Sequence, residues 1–291
     1  VPDATSSFIL QDVTNNLGCI ASDSVLEVAG SLVFLSPDGI RPIAGTMKNN
    51  DVELDLLSED IQYLVQQYVE GNNLEYLNGV VVSSKTQFRY LFSSSGGVQS
   101  ASKGIIGCYS VNREDKGWEF GELLGIRASS TWSGYLSGVE HVLHGDFNGK
   151  VYQQEKTNLM DGANIFSIYN TPYLDMGETE VRKLMRTLNL FIRSEGDVTI
   201  NLGVRYDWNR DTVINPANYQ STSEGVYSVY DDPTIDWDGA GVVYGSPNQP
   251  IFETQIQGSG RSVQFIFVSD GNFAPFTMQG FVIEFSPKGR N

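Results

Sequence analysis

The sequence predicts an all-β protein: β-propeller-like blades with one inserted helix over residues 1–174, then a C-terminal antiparallel β-sandwich over residues 175–291. Three observations carry that expectation. Apolar and polar residues alternate at period two in short runs, the pattern of half-buried strands. Gly, Asp-Gly and Asn-Gly punctuate those runs where hairpins need turns. Charged residues make up only 19% of the 291, so the polar surface leans on Asn, Gln, Ser, Thr and Gly, a balance suited to β-rich assemblies.

The elements follow in order. Val25-Leu26-Glu27-Val28 leads through Ala29-Gly30 into Leu32-Val33-Phe34-Leu35, and Ser36-Pro37-Asp38-Gly39 turns the chain into Ile40-Arg41-Pro42-Ile43. Pro at the second and Gly at the fourth place are type I turn residues, so a three-strand meander is expected. Ser58 stands where it can cap a helix, with Glu59 and Asp60 at the positive end. Ile61, Leu64, Val65 and Tyr68 then share one face, and Gly71 ends the helix. Residues 79–82 and 87–92 form a second hairpin, continued by 105–111 and 118–124. A third unit runs through 139–143, the turn Gly145-Asp146-Phe147-Asn148-Gly149 and 150–153, and is closed by 165–169. Units of about four short antiparallel strands recurring at this interval are what propeller blades look like.

The texture changes after Thr171-Pro172-Tyr173-Leu174-Asp175. Residues 181–193 hold Leu184, Met185, Leu188, Leu190 and Ile192 in mixed order, but 187–193 alternate at period two. Ser194-Glu195-Gly196-Asp197 reads as a hairpin turn, with 198–206 as the strand returning from it. A polar loop region spans 207–250, and strands at 262–269 and 276–285 close the chain.

Little in the chain asks for chemistry. His141 and His144 are the only histidines, and on a strand a spacing of three puts them on opposite faces, against a shared metal. Cys19 and Cys108 lie in apolar surroundings far from any CxxC spacing and read as buried free thiols. Asp231, Asp232, Asp236 and Asp238 crowd one segment, yet aligning Gly239 with the sixth place of a calcium loop leaves Gly245 where the bidentate Glu belongs, so the segment reads as a solvated loop. Residues 115–120 faintly resemble the Asp-box turn of sialidase propellers, without its Ser, Thr and Trp places. The sequence therefore nominates no catalytic residue, no cofactor-binding residue and no metal ligand, and an enzyme is not expected. The formal net charge of −16 argues against tight binding of a phosphate backbone, which depends on Lys and Arg.

Three stretches together resemble a known family. The first is Gly18-Cys19-Ile20-Ala21, Ser24-Val25 and 32–41. The second is Gly145-Asp146, Val151-Tyr152, 169–175 and Arg182-Lys183. The third is Gly258-Ser259-Gly260-Arg261-Ser262-Val263, 279–285 and Gly289-Arg290. In this order they are similar to the nozzle proteins of short-tailed bacteriophages, also called tail tubular protein B or DNA-stabilisation proteins. The resemblance implies a six-fold ring of copies at the distal end of the tail, made in the bacterial host cytoplasm and located in the virion. Its implied partners are further copies of itself, the tail adaptor, the tail fibres or spikes, and viral DNA passing through the channel without specific binding. Family members are usually longer, and the chain opens at Val1, so an N-terminal portion of the propeller is expected to be missing. Acidic copies around a channel would repel passing phosphates over about 8 Å at physiological salt, so carboxylates are expected to outnumber Lys and Arg on its wall. The alternatives are a carbohydrate-binding or glycan-degrading propeller, with four Trp and 14 Tyr as stacking platforms, and a generic scaffold. The polar loops 93–103 and 207–250 are candidates for subunit or fibre contacts.

Overall fold

A computed structural model describes residues 18–43, 56–94, 102–110, 117–194, 198–209, 219–222 and 251–288. It is mostly β-strand, in several antiparallel sheets with one α-helix among the described residues. The chain divides into two compact units, Val1–Lys156 and Thr157–Asn291.

In the first unit, β1 (Leu26–Val28), β2 (Ser31–Ser36) and β3 (Gly39–Pro42) form the expected meander. Its Pro37-Asp38 turn is locked from within. Asp38 accepts hydrogen bonds from Ser36 Oγ (2.5 Å) and Arg41 Nε (3.1 Å). The Arg41 guanidinium holds that carboxyl at about 2, well below its ordinary value.

The helix α1 (Gln62–Gly71) follows a 3-10 turn at Glu59–Ile61 and buries Val65 and Tyr68, with Ile61 and Leu64 packed alongside. Ser58 does not cap it. The fully buried Ser58 hydroxyl instead accepts the Ile40 amide of β3 at 2.9 Å, because a buried strand N–H has no water to turn to.

β4 (Leu77–Val82), β5 (Gln87–Phe92), β6 (Lys103–Tyr109) and β7 (Trp118–Leu124) form a four-stranded meander. β8 (Ser130–Leu136), β9 (Val139–Gly145) and β10 (Val151–Gln153) form a third sheet. β8 has no counterpart among the predicted strands: its Ser-Thr-Trp-Ser-Gly-Tyr run lacks apolar alternation. The β8–β9 turn is Ser137-Gly138, both at positive φ (52° and 81°), the conformation of a two-residue I′ hairpin.

β1, β4 and β8 sit against one another in series, so the sheets stack with the four-stranded one in the middle. β5 is consequently buried on both faces. Phe88, Tyr90 and Phe92 point into the core shared with Val33, Leu35, Ile40, Val65 and Tyr68. Phe88 meets Tyr90 and Trp118 at ring distances of 4.9 and 5.4 Å, and the Tyr90 hydroxyl donates to Ser24 O at 2.6 Å. The free thiols differ from the expectation of burial: Cys19 is exposed ahead of the first strand, and Cys108 is half-buried on β6 opposite Gln87 and Glu119.

Among the described residues, the second unit holds two sheets. One runs β11 (Leu159–Met160), β12 (Ala163–Asn170), β18 (Val263–Gly271), β14 (Thr199–Tyr206), β15 (Tyr219–Thr222); in the other β13 (Arg182–Ser194) pairs with β16 (Ile251–Gln255), β17 (Ser259–Gly260) and β19 (Phe276–Lys288). Two expectations are corrected here. Residues 165–169 do not close the third sheet; from Ile165 to Asn170 β12 pairs with β18, within the second unit. Nor do β13 and β14 form a hairpin, because they lie in different sheets; residues 195–197 of the expected turn lie outside the described residues. Leu188, Leu190 and Ile192 of β13 share one core with Ile200, Leu202 and Val204 of β14 instead of pairing along their edges. Alternation tells which side chains are buried, and it is the same for a neighbouring strand and for a facing layer.

The mixed order around Met185 has a local cause. The β13–β19 register slips between Met185 and Thr187, so Arg186 is an extra, exposed residue, and Met185 and Leu188 are both buried across it.

Gly79 is the tightest backbone approach in the first unit: a Cβ there would lie 2.4 Å from Asp23 O and 3.1 Å from both methyls of Leu26. Gly79→Ala should therefore cost about 1–3 kcal/mol through overpacking, read as a lower thermal midpoint.

Candidate functional site

The middle and third sheets are joined by charged groups. Arg89, buried on β5, donates from Nη1 to Gln154 Oε1 at 2.6 Å, from Nε and Nη2 to Gln87 Oε1 at 3.0 and 2.7 Å, and from Nη2 to the Glu155 carboxylate. Lys85 Nζ holds the other Glu155 oxygen at 2.6 Å. Burial alone would raise the Glu155 pKa, but Lys85 and Arg89 outweigh it and lower it. Gln87 and Arg89 reach the same side because they are two apart on one strand. Glu155 reaches back from a left-handed position (φ 58°) just beyond β10.

A second set of bonds joins the same two sheets. Glu140 on β9 accepts the Ser83 and Ser84 amides at 2.7 and 2.9 Å, and Thr131 Oγ1 donates to Gly79 O at 2.8 Å. Burial works to raise the Glu140 pKa, and the Ser84 and Ser83 hydrogen bonds overcome it and lower it. Val142 packs with Val80 and Val82 between these polar groups.

Strand alternation then fixes the opposite face of the third sheet. With Thr131, Glu140, Val142, His144 and Tyr152 turned inward, Trp132, Leu136, Val139 and Val151 face away. All four are exposed, Trp132 by 46% and Val151 by 73%. Gly134 lets the Trp132 indole lie along the strand, since a Cβ there would meet Trp132 Cζ2 at 2.4 Å. The result is a sheet face on which these four exposed apolar side chains flank the polar pair His141 and Gln153, without cover among the described residues.

The residues weighed for chemistry are scattered. His141 and His144 fall on opposite faces of β9: His141 meets Gln153 Nε2 at 2.8 Å on the outer side, and His144 stacks on Tyr152 at 5.2 Å on the inner. Burial lowers the His144 pKa, and the nearby Asp146 carboxylate pulls it the other way. Gly117 to Phe120 enter β7, while 115 and 116 lie outside the described residues, as do Asp231 to Gly239 and most of the loops 93–103 and 207–250. Among the described residues no group of three or more His, Cys, Asp or Glu is placed to hold a metal ion, and no helix is long and apolar enough to cross a membrane. The Arg89 cluster gave no sequence signal beyond polar residues two apart on a strand. No family model matches the chain, and no curated protein matches it.

Arg89→Leu should cost about 2–4 kcal/mol, because it strips Gln154 and Glu155 of a buried donor; chemical unfolding of the full chain reads it. The pH dependence has a definite sign. His144, Glu140 and Glu155 all titrate lower in the fold, so each contributes stability that is complete above its unfolded value and lost as pH falls through the folded one. The thermal midpoint should begin to drop below about 6.5, where His144 takes up its proton on unfolding. It should drop again below about 4.5 for the two glutamates, and Glu140→Gln should flatten only that second decline.

Proposed function

We propose that this chain is a non-enzymatic structural protein of a virion: the distal tail nozzle of a short-tailed bacteriophage, a ring of copies around the DNA exit channel that joins the tail adaptor and the fibres or spikes. The observation that carries the reading is the stack of three sheets in the first unit, which ends on the exposed face of Trp132, Leu136, Val139 and Val151. Among the described residues of the first unit, the middle sheet has sheets on both sides and the third on one only. A sheet face of this kind is a surface for another sheet to cover. We take the occupant to be a second copy of this chain, as a closed ring requires a repeated contact between unlike faces.

The three sheets are read as consecutive propeller blades, with β1, β4 and β8 as their inner strands, and the two sheets of the second unit as a β-sandwich around their common core. The net charge of −16 supports a channel wall on which DNA does not stick. Tight packing of blade on blade through Arg89 and Glu140 gives a wall stiffness without a disulfide; both cysteines are free.

Purified chain examined by light scattering and electron microscopy should form six-fold rings, and gold-labelled antibody should mark the tail tip of virions. The double variant Trp132→Asp, Leu136→Asp should give smaller species with an unchanged thermal midpoint, because both side chains are exposed. A wild-type chain that stays monomeric at high concentration and is absent from virions would overturn the proposal. So would a channel wall on which Lys and Arg outnumber carboxylates.

A further inference from the structure

The geometry points to a sugar-binding cleft in the second unit, centred on Tyr173 and Trp208, that takes a pyranose ring against the open face of the indole. The cleft has a volume of about 540 Å³ and is lined by Tyr173, Asp175, Arg182, Asp207, Trp208 and Arg261, with Thr179 and Ser262 at its margins. That size accommodates one or two sugar rings. The inference stands apart from the assembly reading, which needs no ligand and draws on the other unit.

The platform is built, and its position is held by the backbone. Asp207 and Trp208 follow β14 in consecutive left-handed conformations, φ 55° and 61°, which residues with a Cβ seldom adopt. The turn is maintained because the Asp207 carboxylate accepts the Arg261 and Ser262 amides at 2.6 and 3.2 Å, its own amide donates to Ser262 O at 3.0 Å, and Asn209 N donates to Tyr206 O at 3.1 Å. The indole is thereby laid on the Tyr173 ring, with centroids 4.3 Å apart and planes 25° from parallel. One face is occupied, and with 71% of Trp208 exposed the other is open to solvent. A large aromatic held rigid and half-covered costs apolar exposure without contributing to the core, which contains neither ring.

The groups around the platform are those that recognise a hydroxyl-rich ring. The carbon–hydrogen face of a pyranose packs on an aromatic plane, while its equatorial hydroxyls both donate and accept. Asp175 supplies acceptors and Arg182 and Arg261 supply donors at the edge of the same cleft. Arg182 is itself oriented by Nε and Nη2 bonds to Ser259, both at 3.0 Å. The Tyr173 hydroxyl is buried and has no hydrogen-bond partner among the described residues. A buried hydroxyl left unpaired costs free energy, so this ring is held under the indole at the expense of a hydrogen bond.

Lys183, beside Arg182, braces the surroundings. Its buried ammonium donates to the carbonyls of Asp175, Glu178 and, at 3.1 Å, Arg261. It ties the segment carrying Asp175 to the one carrying Arg261, so Lys183 is a positioning residue for both sides of the cleft.

The test uses the full chain and two kinds of probe. Saturation-transfer NMR and fluorescence titration are run with a panel of methyl pyranosides, and in parallel with bacterial lipopolysaccharide, so that a free sugar is distinguished from one carried on a cell-surface polymer. At least one probe should bind, with transfer strongest to the ring C–H protons and with quenching of indole emission. Trp208→Ala should weaken that binding at least ten-fold at an unchanged thermal midpoint. Trp208→Phe should restore part of it. Absence of binding in both arms, or binding undiminished in folded Trp208→Ala, overturns the inference. So does protection of Trp208 only when copies of the chain associate, which would make the indole a protein contact.

Discussion

Burying a guanidinium in the middle of a sheet sets the terms for the first unit. Arg89 lies on a strand with Phe88 and Tyr90 on one side and Leu91 beside it, all without access to water. A charge in such a place is tolerated only where every donor has an acceptor. Its acceptors come from Gln87 on its own strand and from Gln154 and Glu155 beyond the third sheet. The two sheets must therefore be in register for the charge to be satisfied, and a sliding or rotated stack would leave it stranded. Apolar contacts such as Val80 and Val82 on Val142 supply attraction between the layers but little direction. The ionic bridge supplies direction, and Glu140 gripping two adjacent amides repeats the device a short distance away.

Much of the strand content was legible because it is written in period two and in turns. The meander that turns at Pro37-Asp38, the hairpin at 79–92 and the strands at 263–271 and 276–288 all follow from that signal. What was not legible is pairing. β12 is an apolar-rich run without clean alternation and almost wholly exposed, so nothing in it distinguishes closing the third sheet from lying on β18, and its true partner is distant in sequence. β13 and β14 look like a hairpin because a turn-rich segment separates them, yet they face one another across a core. Ser58 illustrates the same limit at smaller scale: a hydroxyl near a helix start can cap it or serve a strand, and the buried Ile40 amide that it accepts decides.

The candidate sites were hidden for a related reason. Trp132 and Trp208 are individually unremarkable in a chain with four tryptophans, since most aromatic side chains serve a core. Only placement separates them: Trp132 lies outward on a sheet whose inward face is taken, and Trp208 is held by left-handed backbone on the ring of Tyr173. The Arg182-Lys183 pair was visible as a motif, but its division of labour was not. Adjacent strand residues point to opposite sides, so one cation reaches the cleft while the other is swallowed by three carbonyls.

The long pairing of β13 with β19, from Arg182 with Lys288 to Ser194 with Phe276, also bears on how the protein is made. The first unit's sheets are meanders of neighbours, so each can close soon after its residues leave the ribosome. In the second unit only β11 with β12 and β14 with β15 pair as neighbours in sequence. β13 must wait for nearly all of its unit to be synthesised before its longest partner exists, and until then a row of leucines and isoleucines stays unpaired. Nascent chains of this design are exposed to chaperones and to one another at that stage. Their vulnerability during synthesis is therefore concentrated in the second half, even though the finished core there is as dry as any in the molecule.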